Sequence, residues 1–268
     1  MDSLGRESRR GTWYPWLYFL GITAAETLIA LGRTWPGVIL HVVMLILLIV
    51  QAALSDDGRF YLALILAPLI RLLSLVLPMS NIPMIFRYFA VSVPLFLAAF
   101  SVARLSGYRL RDIALSPGRW YIQLAIALVG LPMGTIEYLI LRPQALVPAF
   151  QATGLVVPTL VLLVSTGFLE ELIFRGIIQK AATDLMRRGG AILFVSLLFA
   201  AMHITHQSWP DLVYVFLVAL FFGWAVFRTR SLTGVTLAHG LNNIILYLVL
   251  PFFPLNLDQM WLWLKGMF

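Results

Sequence analysis

Long apolar runs, each ended by a short polar or basic break, constrain this chain more than any other feature of it. A helix needs about 20 mostly apolar residues to cross the hydrocarbon core of a bilayer. Nine stretches approach or meet that length: 15–31, 36–54, 60–77, 84–104, 119–141, 155–179, 191–205, 211–227 and 233–252. Hydrophobic residues make up 61% of the 268 positions and charged ones 12%, about half the charged share of a soluble domain. That leaves too little polar surface to coat a water-soluble globule. The chain has no cysteine, which excludes a disulfide scaffold. The expected fold is all-α, a polytopic transmembrane helix bundle of about nine spans.

Prolines 15, 36, 210 and 254 fall at or just outside span ends, where helix boundaries prefer them. Pro68, Pro94, Pro132 and Pro158 lie inside spans, which membrane helices tolerate better than soluble ones. The first span contains Glu26 and lacks a small-x-small cleavage site, so it reads as a retained helix and not a signal peptide. The expected organisation is residues 1–150 as N-terminal transmembrane helices of unassigned role, 151–254 as the helical core, and 255–268 as an interfacial tail anchored by Trp261 and Trp263.

The basic residues set the expected orientation. With the N-terminus in the cytoplasm, Arg6, Arg9, Arg10, Arg59, Arg104, Arg109, Arg111, Arg119, Lys180, Arg187, Arg188, Arg228 and Arg230 all fall inside, against Arg33, Arg142 and Lys265 outside. Arg71, Arg87 and Arg175 fall within spans. Such a bias favours a cytoplasmic N-terminus. The net charge of +7 therefore reflects orientation and anionic lipid, with the bilayer as partner and no nucleic acid.

Ionisable groups inside a bilayer cost several kcal/mol each and by default mark function. Glu26, His41, Arg71, Arg87 and Glu137 are scattered singly through the first five spans, and the expectation for them is mutual pairing, snorkelling or helix contact. The last four spans differ. The sixth holds Glu170, Glu171 and Arg175 in an otherwise apolar helix. Glu171 and Arg175 are four apart and can pair along one face. Glu170 points about 100° away from Glu171, toward a polar cavity if one exists. The seventh span holds Phe199 and His203, with His206 just beyond, and the ninth holds His239, Asn242 and Asn243.

At about 1.5 Å per residue, Glu170, His239 and His203 lie roughly 15, 13 and 20 Å from the basic end of their helices. A carboxylate, two imidazoles and an amide at similar depth suit hydrolysis. Neutral imidazoles can hold a water or a divalent metal, a buried carboxylate can take the water's proton, and an amide N–H can stabilise an oxyanion.

At these residues the sequence resembles the CPBP family of intramembrane proteases, the CAAX-protease and bacteriocin-processing (Abi-type) enzymes. Their Glu-Glu-x-x-x-Arg, Phe-x-x-x-His and His-x-x-x-Asn motifs occur here in order, as Glu170-Glu171…Arg175, Phe199…His203 and His239…Asn243. The likeness covers roughly residues 155–250. It implies a peptide-bond hydrolase with Glu170 as general base and His203 and His239 positioning the water, directly or through a divalent metal. Zinc is the first choice for such a metal, with Glu170 completing the ligands. It further implies Asn243 as oxyanion donor or ligand, and Glu171 with Arg175 orienting the site. The chain lacks a His-Glu-x-x-His helix, the usual zinc signature. His206 is an extra candidate ligand for which a loop or interfacial role is favoured, and Asn242 faces away from His239 as a helix-contact residue.

The resulting expectation is a multi-pass intramembrane endopeptidase of a prokaryotic cytoplasmic membrane, acting from the cytoplasmic side on a membrane-anchored or lipid-modified protein or peptide. A non-catalytic scaffold, an immunity protein or a transporter could use the same helices. Transporters usually carry inverted repeats, and this sequence shows none.

Overall fold

The computed structural model describes residues 13–77, 79 and 81–253; the basic N-terminal arm and the expected tail 255–268 lie outside the described residues. All regular structure among the described residues is helical. Nine helices follow one another through short connections: α1 (Tyr14–Ala30), α2 (Thr34–Leu54), α3 (Gly58–Val76), α4 (Met84–Leu105), α5 (Trp120–Leu141), α6 (Ala152–Leu185), α7 (Arg188–His206, its last turn 3-10), α8 (Trp209–Thr229) and α9 (Thr233–Val249). Their bounds follow the nine apolar runs closely, except that α6 is longer than its run. At 34 residues it reaches about 50 Å, against a hydrocarbon core of about 30 Å. Its polar last turns, Lys180 to Asp184, therefore extend beyond the apolar layer.

Proline explains two discontinuities. In α3 the helix breaks at Ile65, and in α5 at Val129, each three residues before a proline (Pro68 and Pro132). A proline ring clashes with the carbonyl four residues earlier and offers no N–H to it, so the turn just before it opens. Pro94 and Pro158 stay within continuous helix. Helix α6 carries wider π-type turns at Leu162–Phe168 and Leu172–Ile178, on either side of Leu169–Glu171, and α9 carries one at Ile245–Val249. Such turns recur at functional sites.

The two ends of the bundle differ chemically. At one end the loops after α4, α6 and α8 meet: Leu232 N donates to Ala114 O at 2.9 Å, Ser116 Oγ to Arg230 O at 2.6 Å and Tyr108 Oη to Asp184 Oδ2 at 3.1 Å. This is the end that carries Arg59, Arg104, Arg109, Arg111, Arg119, Lys180, Arg187, Arg188, Arg228 and Arg230. At the opposite end Gln207 donates to Ala30 O and Leu146 N to Tyr247 O at 3.2 Å.

Inside the bundle, α9 is gripped between α5 and α6 by small residues. A Cβ on Gly130 would lie 2.2 Å from Ala238 O, one on Gly134 2.5 Å from Asn242 O, and one on Gly167 3.0 Å from Gly240 N. Lipid tails are as apolar as leucine, so membrane helices associate through such close contact and through polar bonds. Close approach on two sides fixes the rotation of α9 about its own axis and turns His239 inward.

Replacing Gly134 by alanine is expected to lower the melting temperature in detergent, at a cost of about 1–3 kcal/mol, because the added carbon meets backbone on α9. Gly154→Ala is the matched control, since nothing lies within 4 Å of its Cβ position. Equal melting of the two variants would refute the gripping of α9.

Candidate active site

Glu171 is fully buried, with no exposed side chain. Its Oε1 accepts from Arg175 Nη1 at 3.0 Å and from His239 Nδ1 at 2.9 Å, so one oxygen joins α6 to α9. The Arg175 guanidinium is also buried and lies 4.1 Å from the Phe199 ring centroid and 5.7 Å from that of Phe222. A desolvated cation over an aromatic face gains about 2 kcal/mol or more, which brings α7 and α8 into the same cluster.

His203 is held by its own helix. Its Nδ1 lies 2.8 Å from Phe199 O. A carbonyl only accepts, so Nδ1 carries the proton, and the neutral ring offers Nε2 as an acceptor. Phe199 therefore has two tasks: its carbonyl sets the tautomer of His203, and its ring supports Arg175. Asn243 donates from Nδ2 to Thr166 Oγ1 at 2.9 Å, and that hydroxyl in turn donates to Leu162 O.

These groups surround a cavity of about 430 Å³ lined by Glu170, His203, His239 and Asn243, within the usual size range of ligand pockets. Glu170 projects into it with 30% of its side chain exposed, and its Oε2 stands 3.9 Å from His239 Nε2. The two adjacent glutamates thus divide as the helix geometry predicts, Glu170 into the cavity and Glu171 behind His239 with Arg175.

Several lining residues carry no motif. Arg71, Tyr88, Ser92 and Glu137 come from α3, α4 and α5, and Tyr214 and Tyr247 from α8 and α9. Arg71 and Glu137 were visible as ionisable residues within spans; the tyrosines and Ser92 had no signal in one sequence. Glu137 accepts from Asn242 Nδ2, which bears out the reading of Asn242 as a helix-contact residue. His206 sits at the cavity rim, with its Nδ1 2.8 Å from the buried Asp211 Oδ2.

Glu26, His41 and Arg71 pair with one another, the first of the outcomes expected for them, and form one cluster. Arg71 meets Glu26 through Nε at 2.8 Å and through Nη2 at 2.8 Å, and His41 Nε2 lies 3.2 Å from Glu26. Arg71 Nη2 also donates to Met202 O at 2.7 Å, the carbonyl next to His203.

The cavity occupies the half of the bundle away from the basic loops, which corrects the expected approach from the basic side. Depth measured from one end does not tell which end is sealed. Ile173, Phe174, Phe199 and Phe222 are buried and close the floor on the basic side.

Two imidazoles and a carboxylate are the donor types a zinc ion takes. Among the described residues, however, no three His, Asp or Glu side chains stand close enough together to share an ion. As placed, the set does not fit a metal.

Residues 152–245 match the family described as Rce1-like: type II CAAX prenyl endopeptidase Rce1-like. The match covers α6, α7, α8 and most of α9, with all three motifs. No curated protein and no solved structure matches the chain.

The two glutamates are expected to separate by stability. Glu171→Ala leaves Arg175 buried without its partner and should cost about 3–5 kcal/mol in thermal unfolding, whereas Glu170→Gln, facing the cavity, should melt like the parent protein. A Glu171→Ala protein of parental stability would show that the ion pair does not hold the site.

Proposed function

We propose, from the premise that residues 152–245 form an Rce1-like CAAX endopeptidase domain, that this integral membrane protein hydrolyses a peptide bond of a membrane-anchored or lipid-modified polypeptide. The observation that supports this most directly is the convergence of Glu170, His203, His239 and Asn243 on one cavity, with Glu170 Oε2 3.9 Å from His239 Nε2.

In this reading a water sits against Glu170 and donates its second hydrogen to His203 Nε2, with the His239 ring bordering it. Glu170 takes one proton as the water oxygen attacks the carbonyl carbon of the substrate. The negative charge moves to the carbonyl oxygen, where the second N–H of the Asn243 amide stabilises it. As the C–N bond breaks, the proton held on Glu170 passes to the departing nitrogen, leaving a carboxylic acid and an amine. Glu171 and Arg175 do not touch the substrate; they hold His239 in its tautomer and angle. No step runs through a metal, in keeping with the spacing of the donors.

Glu170→Gln keeps shape and removes the base. It should lower the rate on a membrane-tethered peptide by about 10²–10⁴-fold, and cleavage equal to the parent would overturn the role of Glu170. Loss of the Asn243 donor, as in Asn243→Ala, should cost about 10²–10³-fold in kcat. Activity should survive excess chelator; loss on chelation with recovery on added zinc would replace the glutamate–water mechanism by a metal one.

A further inference from the structure

The cavity gives the bundle a direction. Its exposed lining residues are Ser74 near the end of α3, Met84 at the start of α4 and His206 at the end of α7. All three lie at the end away from the basic loops, and among the described residues none of the lining belongs to those loops. Below Glu170 the floor is packed shut by Ile173, Phe174, Phe199 and Phe222. A substrate therefore has a path to Glu170 from the end opposite the basic loops, whereas the hollow at the basic end between Ala114–Pro117 and Leu232–Leu237 does not reach Glu170.

Charge fixes which compartment that is. Short loops rich in Arg and Lys stay on the cytoplasmic side of a membrane, and here they gather at the sealed end. We infer that the site opens to the exported face of the membrane and that its substrates are polypeptides tethered there after translocation, with the scissile bond drawn into the outer half of the bilayer. A lipid-modified tail that remains in the cytoplasm would meet only the sealed end. The choice of substrate rests on the protease reading; the direction of the opening does not.

The absence of cysteine from the sequence allows a direct test on the full-length protein. Ser74→Cys places a thiol at the rim, and Gly189→Cys places one at the basic end, where nothing lies within 4 Å of the Cβ position. A membrane-impermeant maleimide should label Ser74→Cys in sealed right-side-out vesicles and not in inverted ones, with the reverse for Gly189→Cys. The opposite pattern would overturn the inference. Single-span reporters carrying the same cleavable segment on the exported or the cytoplasmic side then test the substrate class. Cleavage of the exported reporter alone is expected, and cleavage of the cytoplasmic one would overturn it. If the labelling is as expected and neither reporter is cut, the opening stands and the protease reading fails.

Discussion

The ion pair between Glu171 and Arg175 is the constraint from which the rest of the site follows. Two charges held in an apolar interior pay several kcal/mol each in lost hydration, and partners beyond the pair offset part of that cost even though Glu171 Oε2 and Arg175 Nη2 keep no hydrogen-bond partner among the described residues. Those partners are drawn from different helices. Glu171 takes His239 from α9, and Arg175 lies over Phe199 of α7 and Phe222 of α8. One buried pair thus joins four helices about one point, and the imidazole bonded to it is the one that faces Glu170. The pair contributes less as net stability than as a specification of which helix faces meet.

Polar bonds alone would leave α9 free to rotate or slide. The close approach at Gly130, Gly134 and Gly167 removes that freedom, because each contact sets backbone against backbone and those at Gly130 and Gly134 leave no room for a methyl group. Asn242 and Asn243 then point to opposite neighbours, Asn242 to Glu137 on α5 and Asn243 to Thr166 on α6. Packing sets the angle of the helix, and hydrogen bonds set its register. The His239 ring is placed by both, which is why a single imidazole can stand 2.9 Å from one glutamate and 3.9 Å from the next.

The helices were legible in the sequence because hydrocarbon imposes one length and one composition on everything that crosses it. The division of labour between Glu170 and Glu171 was also legible, since adjacent residues on a helix face different ways. Three things were not. The π-type turns in α6 have no compositional mark. The tyrosines of the cavity wall look like any aromatic in a span. The direction of the opening depends on which end is packed shut, and Phe174, Phe199 and Phe222 close the floor through contacts between helices far apart in the chain. Phe199 shows the limit well: its spacing from His203 is visible as a motif, but its carbonyl bond to His203 and its ring beneath Arg175 belong to three dimensions.

The first five helices matter to the site for the same physical reason. The last carbonyls of a helix have no partner within it, and at the end of α7 one of these is Met202 O, beside His203. Arg71 supplies the missing donor. A guanidinium in that position needs a carboxylate of its own, which Glu26 provides with His41 close by. A carbonyl in the matched family segment is thereby secured by a chain of contacts that runs back to α1. Tyr88, Ser92 and Glu137 close the cavity from α4 and α5. The segment 152–245 carries the motif residues, but the enclosure that would hold a peptide and its water away from lipid is built by the whole bundle. In the proposed mechanism Glu170 works as a base only where the surrounding wall is complete.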